Sequence, residues 1–382
     1  MKHGWEYKKF TDVCDVQYGF AFDSKFFTDD ENAMPLIRIR DVMRGYSETF
    51  YNGEIPNGYL INEGDYLVGM DGEFNIGRWG KRPGLLNQRV CKMSSSSKLL
   101  DNQYMYYFMK VCLKSIEDET PFVTVKHLSA KRINLIEIPL PPLLTQQSIA
   151  SELDKINELI RLKKEQLKDY DNLAQSIFYE MFGDPVENQK GWEERTMQDL
   201  CVNIVDCPHS TPKKVDYITD YPCIRTSELR GGSISWATMQ YLDEDEYNIR
   251  IARLKPEAGD IVFGREGTIG DAVILPLGYN FSLGQRTMLL RADTSIVSNV
   301  FLHRTILSDW IKHQIEYVNV SSTVAHVNIK DFKKFTVPLP PLPLQQLFAQ
   351  RIELIEKQKA EIKSTIADLE TLLASRMQYW FD

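Results

Sequence analysis

Two proline-rich stretches, IPLPPL (Ile138–Leu143) and VPLPPL (Val337–Leu342), divide this sequence. Each is followed by a pair of glutamines, Gln146-Gln147 and Gln345-Gln346, and the second stretch begins 199 residues after the first. Proline cannot occupy the interior of a helix, so each stretch predicts an extended entry and a fixed start for the helix that follows it. The recurrence of the whole pattern indicates an internally duplicated chain.

The duplication extends far upstream of the prolines. Three further pairs of segments match between the halves: MPLIRIRDV (Met34–Val42) with YPCIRTSEL (Tyr221–Leu229), EGDYLVGMDGEFNIG (Glu63–Gly77) with AGDIVFGREGTIG (Ala258–Gly270), and NQR (Asn87–Arg89) with GQR (Gly284–Arg286). Each half is therefore one module followed by one tail. We place the first module at residues 1–138, its tail at 139–183, the second module at 184–337 and its tail at 338–382.

Length and composition indicate a globular chain with more than one core. At 382 residues the chain exceeds the usual size of one domain, and its 43% hydrophobic and 26% charged residues are ordinary for a globular protein. The N-terminal sequence lacks the apolar core of a signal peptide, and no later run approaches the roughly 20 apolar residues of a membrane span. We therefore expect a cytoplasmic protein.

Each module alternates short β-rich runs with turn residues. Runs such as PLIRIRDV (Pro35–Val42) and DYLVGM (Asp65–Met70) are separated by glycine, asparagine and aspartate, which is typical of strands joined by tight turns. Apolar residues at helical spacing predict one amphipathic helix per module, at Asn102–Ile116 and Asn299–Ile315. The predicted fold class is α+β, with two duplicated β-rich domains that carry a helix each.

The tails have a different periodicity. Apolar residues recur at alternating three- and four-residue steps, which is the heptad pattern of a coiled coil. The repeating positions are Leu153, Ile156, Ile160, Leu167, Tyr170, Ala174 and Ile177 in the first tail, and Ile352, Ile355, Ile362, Ile366, Leu369 and Leu373 in the second. Two helices of this length cannot fold back onto one small module. We expect them to pair with each other, antiparallel, with a module at either end and internal pseudo-twofold symmetry.

Each heptad series also contains one lysine, Lys163 in the first tail and Lys359 in the second. A buried lysine destabilises a coiled coil and is best known as a device that sets register or partner choice. A side chain whose stem is covered while its ammonium group stays in water explains the same pattern. The sequence leaves both interpretations open.

The reactive side chains form no recognisable catalytic or metal site. The six cysteines include no CxxC pair, so we expect reduced thiols, and Cys201, Cys207 and His209 lack the spacing of a structural zinc site. The sequence contains no Asn/Asp-Pro-Pro-Tyr/Phe motif of amino-methyltransferases, no HExxH and no Gly-x-Ser-x-Gly. We therefore predict no catalytic and no metal-binding residues.

The order of module, PLPPL-plus-Gln-Gln helix, module and second such helix resembles the specificity (S) subunit of Type I restriction–modification enzymes along the whole chain. The segments GDYLVGMDGEFNIG (Gly64–Gly77) and GDIVFGREGTIG (Gly259–Gly270), each followed by a Gln-Arg pair, resemble that family's target recognition domains. The run FYEMFGDP (Phe178–Pro185) is similar to the family's usual exit from the first helix.

The resemblance implies that each module reads one half of a bipartite, asymmetric site in double-stranded DNA. It implies that the helices separate the modules and dock two methyltransferase (M) subunits, so that the heptad residues serve both the coiled coil and partner docking. It implies no chemistry and no cofactor in this chain. S-adenosylmethionine would be bound by the methyltransferase subunits, and ATP and magnesium by restriction (R) subunits that translocate and cleave DNA.

Arginine, lysine and hydroxyl side chains are among the groups that contact bases and phosphates in DNA. The candidates for DNA contact are Arg38, Arg40, Arg44, Arg78, Lys81, Arg82 and Arg89 in the first module, and Arg225, Arg230, Arg265, Thr268 and Arg286 in the second. Arg38 matches Arg225 and Arg89 matches Arg286, which suggests a shared phosphate or scaffold contact. A solvated or ion-paired surface role is the alternative for each of them.

Base choice should lie where the matched halves differ. The differing segments are Met43–Gly53 against Arg230–Thr238, and Asp71–Lys81 against Arg265–Gly270. The glycine-rich loop at Gly264–Thr268 lacks the Gly-Lys-Ser/Thr ending of a nucleotide-binding loop, so we interpret it as a phosphate contact for DNA or a plain tight turn. The matched His127 and His326 are expected to make structural hydrogen bonds, with DNA contact as the alternative.

The net charge of −8 and the pI near 5.5 are unusual for a protein that binds DNA alone. We expect the partners to supply much of the basic surface, while acidic side chains of the first tail face partners or solvent. These are Glu152, Asp154, Glu158, Glu165, Asp169 and Asp171. Two alternatives remain: a protein-interaction scaffold with β-rich modules on a coiled-coil rod, and a DNA-modifying enzyme with an unrecognised site.

Overall fold

The computed structural model describes residues 4–80, 82–120, 126–319 and 326–381. Tertiary contacts divide the chain into two compact units, one of Met1–Glu165 with Lys363–Asp382 and the other of Gln166–Ile362. Each unit therefore contains one β-rich module and a part of each long helix.

The first unit contains the first module. Its strands are β1 (Glu6–Lys9), β2 (Cys14–Tyr18), β3 (Phe27–Thr28), β4 (Met34–Ile37), β5 (Phe50–Tyr51), β6 (Leu60–Ile61), β7 (Tyr66–Gly69), β8 (Ile76–Arg78), β9 (Gly84–Leu86), β10 (Val90–Ser95) and β11 (Glu137–Leu140). Its helices are α1 (Ile39–Val42), α2 (Asn102–Glu119) and α3 (Ala130–Ile133), and the long helix α4 (Leu143–Phe182) follows them.

The second unit contains the second module. Its strands are β12 (Glu193–Thr196), β13 (Cys201–Asp206), β14 (Lys214–Val215), β15 (Pro222–Ile224), β16 (Leu229–Arg230), β17 (Ser233–Ile234), β18 (Gln240–Leu242), β19 (Ile261–Gly264), β20 (Ala272–Ile274), β21 (Ser282–Leu283), β22 (Thr287–Ala292) and β23 (Thr336–Leu339). Its helices are α5 (Met197–Leu200), α6 (Glu244–Arg250), α7 (Asn299–Ile306), α8 (Asp309–Asn319) and α9 (Ile329–Phe332), and the long helix α10 (Leu342–Phe381) follows them.

Both modules are built on the same four-stranded antiparallel sheet. Its strand order is β2-β10-β7-β8 in the first module and β13-β22-β19-β20 in the second. Every residue of β7 and of β19 is buried, which suits apolar runs such as YLVG and IVFG. A short strand pair, β1 with β11 or β12 with β23, joins the start of each module to its proline stretch. The duplication in the sequence therefore repeats the topology of the central sheet, whereas the remaining strands form one five-stranded sheet in the first module and a four-stranded and a two-stranded sheet in the second.

Each module also contains one pair of parallel strands. In the first, β4 pairs with β9 so that Leu36 lies opposite Leu85, and in the second, β15 pairs with β21 so that Cys223 lies opposite Ser282. The carboxyl ends of parallel strands meet at the same edge of a sheet. The segments that follow the paired strands are therefore brought together, although they are far apart in the sequence.

The predicted amphipathic helix differs between the two modules. Helix α2 is unbroken, and its N-terminus is capped by Asp101, whose side chain accepts hydrogen bonds of 2.9 Å from the N–H groups of Gln103 and Tyr104. The prediction of a single helix at Asn299–Ile315 was wrong, because α7 ends and α8 begins within it. At the break the hydroxyl of Ser308 donates to the carbonyl of Thr305 at 2.6 Å, a local bond that competes with helix continuation.

The long helices α4 and α10 contain 40 residues each and begin directly after Pro142 and Pro341. The predicted antiparallel pairing is confirmed inside both units. In the first unit Oε2 of Glu152 in α4 accepts from Nη2 of Arg376 in α10 at 3.0 Å. In the second unit Asp171 of α4 pairs with Lys359 of α10 at 2.7 Å. The contact positions rise along α4 while they fall along α10, so the helices run in opposite directions.

The heptad residues form the covered face of this helix pair. Those that are buried are Leu153, Ile156, Ile160, Ala174, Ile352, Ile355, Ile362 and Ile366. Those that are half-buried are Leu167, Tyr170, Ile177, Leu369 and Leu373. The seam is therefore filled by contacts inside the chain.

The first glutamine of each Gln-Gln pair is a buried clamp. Gln146 is fully buried; its Oε1 accepts from the N–H of Asp101 at 2.9 Å, and its Nε2 donates to the carbonyls of Leu99 and Pro141 at 2.8 Å. The second unit repeats this set with Gln345, Ser298, Ile296 and Pro340. Each clamp ties the first turn of a long helix to the segment before the module helix, α2 or α7.

Several acidic side chains of α4 make contacts within the chain. Asp154 accepts from the hydroxyl of Tyr107 at 2.6 Å, and the Arg376 guanidinium holds the pKa of Glu152 below its usual value. Asp154 and Asp171 remain exposed, as expected, and Glu152 is half-buried. Each of the three carboxylates also binds a donor of the same chain, which the sequence did not indicate.

Candidate nucleic-acid interface

The edge of the first module at which the parallel strands β4 and β9 end contains a cleft of about 490 Å³. Arg38 and Arg40 approach it from the segment after β4, and Asn87, Gln88 and Arg89 from the turn after β9. We call it the first cleft; its lining is Phe22, Ser24, Phe27, Arg38, Ile39, Arg40, Asn87, Gln88, Arg89 and Val90. The structure thus brings three of the arginine candidates together at one edge.

Arg89 is held by an acidic residue at the end of β7. Its Nη1 lies 3.3 Å from Oδ2 of Asp71, and Oδ1 of the same carboxylate lies 2.5 Å from Nδ1 of His127. The main chain adds a hydrogen bond of 3.0 Å from the N–H of Met70 to the carbonyl of Arg89. His127 therefore makes a hydrogen bond within the module, and Arg89 is oriented although its side chain remains 55% exposed.

Arg40 and the buried Asp41 lie in the short helix α1, which follows β4. Nη2 of Arg40 donates to Oγ1 of Thr49 at 3.0 Å, and its Nε lies 3.8 Å from Oδ1 of Asp41. Oδ2 of Asp41 accepts from the main-chain N–H of Arg38 at 2.8 Å and from the hydroxyl of Ser47 at 2.9 Å. These contacts leave the Arg38 guanidinium, which is exposed, without a hydrogen bond or ion pair to any residue that the structure describes.

In the second module Arg225, which matches Arg38, points back to a buried acid of its own module. Glu228, which is fully buried and matches Asp41, accepts from the main-chain N–H of Arg225 at 2.9 Å. The same carboxylate accepts from the guanidinium of Arg225, at 3.1 Å from Nε and 2.7 Å from Nη2. Nη2 also donates to the carbonyl of Thr238 at 2.9 Å. Arg225 therefore holds the scaffold of its own module together.

The glycine of GQR makes room for this arrangement. A Cβ atom on Gly284 would lie 2.2 Å from Cγ of Arg225, which is far too close for two carbon atoms. The matching residue in NQR is Asn87, which carries a Cβ atom. An arginine at position 38 therefore cannot follow the path that Arg225 takes.

Arg286 repeats the contacts of Arg89. Its Nε lies 3.2 Å from Oε2 of Glu266, and the N–H of Arg265 donates to its carbonyl at 2.8 Å. Its backbone is in the left-handed region, with φ of +66°, which is uncommon for a residue other than glycine. The side chain is 63% exposed. The matched pair Arg89 and Arg286 thus shares an acidic partner and a main-chain hydrogen bond, although only Arg286 has a positive φ. Arg38 and Arg225 differ in their side-chain contacts.

Three candidates have their own contacts or lie away from the first cleft, and a fourth cannot be placed. Arg44 pairs with Glu48 at 3.3 Å, and Arg82 lies over the ring of Phe50, 5.4 Å from its centroid. Arg78 lies on β8 and is exposed. Lys81 is outside the described residues.

The remaining candidates of the second module differ in exposure. Arg265 has a side chain that is only 12% exposed, which pairs with Asp206 and donates from Nε to the carbonyl of Val327 at 2.9 Å. Arg230 is exposed on the short strand β16. Arg265 therefore ties β19 to neighbouring segments, whereas Arg230 remains at the surface.

The glycine-rich loop after β19 closes on itself. The N–H of Gly270 donates to the carbonyl of Gly264 at 3.3 Å, and the N–H of Asp271 donates to the carbonyl of Thr268 at 3.2 Å. The hydroxyl of Thr268 donates to the carbonyl of Thr226 at 3.0 Å. The loop is a compact turn that is tied to the segment after β15.

Thiols and carboxylates form no additional cluster in the part of the chain that the structure describes. The six cysteines are free thiols, and burial raises the pKa of Cys14, Cys91 and Cys201 to about 12. Within the described ranges no group of three or more His, Cys, Asp and Glu side chains is placed to hold a metal ion. None of the described helices is long and apolar enough to cross a membrane.

Residues 2–169 and 189–371 each match the family model of the Type I restriction modification DNA specificity domain, Methylase_S. The chain belongs to this family. The match confirms the resemblance seen in the sequence, and it covers two separate regions of the chain. The protein is therefore a Type I specificity subunit with two DNA specificity domains.

Other specificity subunits are similar to this one over most of their length. It is 28% identical over 377 residues to the Type I restriction enzyme EcoBI specificity subunit of Escherichia coli, which is 89% of this chain and 77% of that protein. It is 23% identical over 338 residues to the Type I restriction enzyme MjaVIII specificity subunit of Methanocaldococcus jannaschii, covering 82% and 79% of the two chains.

Solved specificity subunits have the same fold. The S subunit of a Type I restriction–modification system from M. genitalium matches with a TM-score of 0.58 at 14% identity, over 99% of this chain and 96% of that chain. A chain from a structural study of complex assembly and conformational transition of the type I R-M system matches with a TM-score of 0.54 at 16% identity, over 100% and 98%. The likeness confirms two β-rich domains joined by paired long helices.

Two features of this specificity subunit were not identified from its sequence. Asn87 and Gln88 line the first cleft, but NQR was recognised only as part of the duplication. Gln146 and Gln345 are structural clamps, although their recurrence was visible. The sequence signal for the cleft was the difference between NQR and GQR. This difference can be interpreted only when the parallel strands show that Arg38 lies beside Asn87.

Proposed function

We propose that this specificity subunit reads a bipartite, asymmetric site in double-stranded DNA, with each module contacting one half. The observation that carries the proposal is the shared strand edge. Both modules present arginine and amide side chains there on the same backbone, yet matched side chains make different contacts. A duplicated scaffold with different edge residues suits two half-sites of different sequence.

Phosphate contact is the role that best suits Arg89 and Arg286, the matched arginines at this edge that make similar contacts in both modules. Arg89 and Arg286 each pair with the acid that follows β7 or β19, each accepts a main-chain hydrogen bond, and their side chains are more than half exposed, at 55% and 63%. The phosphate backbone is the same in every half-site, whereas the base edges differ. Contacts that recur in both modules are therefore better suited to binding phosphates than to reading bases.

Two methyltransferase subunits bind the outer faces of the long helices in this proposal, and restriction subunits join that complex. The heptad residues are covered inside the chain, so a partner contacts the leucines that remain exposed on these helices. They are Leu143, Leu144, Leu159, Leu162 and Leu173 on α4, and Leu347, Leu354 and Leu372 on α10. S-adenosylmethionine is bound by the methyltransferase subunits, and ATP and magnesium by the restriction subunits, while this chain supplies no catalytic group.

Co-expression of the chain with its methyltransferase subunit, followed by methylome sequencing, tests the proposal. The expected result is a bipartite methylated motif that is absent without this chain. Exchange of residues 184–337 for the second module of a relative should change one half of the motif only. A complex that methylates no bipartite motif, or a motif that ignores the exchange, would refute the proposal.

Binding and activity of the isolated chain provide a second test. Because the net charge is −8, we expect the chain alone to bind DNA weakly and the assembled complex to bind it specifically. Filter binding at several salt concentrations measures both. Incubation of the chain with DNA and S-adenosylmethionine should give no methylation, and methylation without the partner would contradict a non-catalytic subunit.

A further inference from the structure

Arg38 and Arg225 occupy the same main-chain position but differ in what their guanidinium groups hold. Their φ and ψ angles are −107° and 168° in the first module, and −114° and 177° in the second. In both, the main-chain N–H donates to a fully buried carboxylate three residues later, at 2.8 Å to Asp41 and 2.9 Å to Glu228. The backbones correspond, so the difference lies in the side chains.

Two of the three guanidinium nitrogens of Arg225 are bound by its own module. These two nitrogens hold the carboxylate of Glu228, one of them also holds the carbonyl of Thr238, and the side chain is 27% exposed. A bidentate partner would have to use Nη2, and would therefore displace the carbonyl of Thr238 or break the pair with the buried carboxylate. Breaking such a pair is costly because it leaves the buried charge without a partner.

Two substitutions between the halves release Arg38. Asp41 is one methylene group shorter than glutamate, and its Oδ1 atom is buried without a hydrogen bond from any described residue. Asn87 replaces the glycine over which Arg225 lies, where a Cβ atom at Gly284 would be 2.2 Å from the arginine Cγ. The acid is too short to reach the guanidinium, and the asparagine blocks the path back to it.

The neighbours of Arg38 in the first cleft are already held or carry amide groups. Arg40 donates to Thr49, and Arg89 pairs with Asp71. Within the described residues, Arg38 is therefore the arginine of this cleft whose charge has no partner, and it lies beside the amide side chains of Asn87 and Gln88.

We infer that Arg38 is a specificity-determining residue that binds the major-groove edge of a guanine in the half-site read by the first module, and that Arg225 reads no base. The inference rests on the proposed function. A guanidinium presents a planar fork of donors that fits the O6 and N7 acceptors of guanine. A phosphate also accepts from such a fork, but the adjoining amide groups are themselves base-reading groups, which favours a base edge.

The test uses the complex of the full chain with its methyltransferase subunit, once the methylated motif is known. Methylation rates are measured on duplexes in which each base pair of the motif is varied in turn. Arg38→Ala should lose roughly 10- to 100-fold of the preference for guanine at one position of one half-site. Arg38→Lys should lose part of it, because lysine lacks the fork. The matched control is Arg132→Ala, an exposed arginine of the same module that pairs with Glu119 at 3.8 Å and does not line the cleft.

Replacement of single guanines by 7-deazaguanine separates base contact from phosphate contact. At the position read by Arg38, the wild-type complex should slow roughly 10-fold and the Arg38→Ala complex should not slow further. A loss in Arg38→Ala that is equal on all duplexes would indicate a phosphate contact and overturn the inference. An unchanged motif in Arg38→Ala, or a wild-type motif with no guanine, would overturn it as well.

A second, independent test introduces into the first module the residues that hold Arg225 in the second module. Asp41→Glu combined with Asn87→Gly should sequester Arg38 and reproduce the relaxed motif of Arg38→Ala, with circular dichroism confirming that the chain is folded. Arg225→Ala combined with Glu228→Gln removes both charges of the buried pair, and circular dichroism again checks that the chain is folded. This double variant should leave the motif unchanged; a relaxed base pair in it would refute the assignment of Arg225. A wild-type complex that methylates no bipartite motif defeats the proposed function itself, whereas a normal motif that Arg38→Ala leaves intact defeats only this inference.

Discussion

Lys359 of α10 and Asp171 of α4 form an ion pair across the antiparallel helices, with Nζ 2.7 Å from Oδ1. The lysine side chain is only 9% exposed, and its Nζ also lies 3.0 Å from Oε1 of Glu356. The ammonium group is thus bound by the partner helix rather than extended into water. Because this contact forms in one alignment of the two helices, it supports the interpretation of Lys359 as a register device.

Removal of the acidic partner should therefore weaken the second unit slightly. We expect Asp171→Ala to lower the free energy of unfolding by about 1 kcal/mol, since Lys359 keeps Glu356 and both carboxylates are partly in water. Urea denaturation measures the change. Asp169→Ala, an exposed acid on the same helix, is the control and should leave stability unchanged. Equal effects of the two substitutions would show that the ion pair does not contribute.

The glutamine clamps should be far more sensitive to substitution than the glutamines beside them. Gln146→Leu removes one acceptor and two donor contacts that are buried at the start of α4. We expect a loss of about 2–4 kcal/mol, because the N–H of Asp101 and the two carbonyls lose their partner. Thermal or urea denaturation checks this.

The adjacent Gln147 is the matched control, because it is exposed. Gln147→Leu should change the free energy of unfolding by less than about 0.5 kcal/mol. The same contrast is expected between Gln345, which is buried, and Gln346, which is exposed. If both leucine substitutions in a pair had the same effect, the clamp would not be the reason for the recurring motif.

The features that could be predicted from the sequence are those with a local signal. The prolines before Leu143 and Leu342, the heptads that follow and the repeated segments each depend on residues close together in the chain. The break after Ile306 was missed because the apolar spacing continues across Ser308, so the pattern gives no sign that one helix ends and another begins there. Periodicity records which face is apolar, but it does not record where a helix stops.

The candidate site was only partly predictable, because it depends on strand pairing. Arg38, Arg40 and Arg89 were recognised as residue types suited to DNA, but their proximity results from the parallel pairing of β4 with β9. Arg225, unlike Arg38, binds the buried acid of its own module. This difference depends on the additional methylene group of Glu228 and on the absence of a Cβ atom in Gly284. The sequence does not show that Arg225, Glu228 and Gly284 are in contact, so the effect of these small differences could not be predicted.

The pH dependence of the second unit should reflect His303. This side chain is fully enclosed, its Nε2 lies 2.9 Å from the carbonyl oxygen of Ala272, and burial lowers its pKa to about 4. The unfolded chain binds a proton at about pH 6.5, before the folded chain does. The stabilisation is therefore complete above about pH 6.5 and is lost as the pH falls toward 4, by up to about 3 kcal/mol.

Urea denaturation at pH 7 and pH 5, followed by tryptophan fluorescence, tests this behaviour. His303→Gln can still donate to the carbonyl of Ala272 but does not titrate, so it should lose less stability between the two pH values than the wild type. His313→Gln, an exposed histidine on α8, should retain the wild-type dependence. The same pH dependence in all three proteins would assign the effect to other groups.

The matched arginines Arg89 and Arg286 should act alike on DNA binding by the assembled complex. Each is oriented by an acid, Asp71 or Glu266, and each keeps more than half of its side chain in water. If both hold phosphates, Arg89→Ala and Arg286→Ala should weaken binding to target and non-target duplexes by the same factor. Each should also lower the slope of log K against log salt concentration by about 1.

The acids that orient these arginines provide the control for geometry. Asp71→Asn keeps oxygen and nitrogen atoms near Arg89 and removes the charge of the ion pair, so it should leave the phosphate contact largely intact. Binding that becomes slightly stronger fits this, because one negative charge near DNA has been removed. A preference that changes at a single base pair in Arg89→Ala or Arg286→Ala would instead show a base contact. In that case the shared geometry of the two modules would have to read the same base in both half-sites.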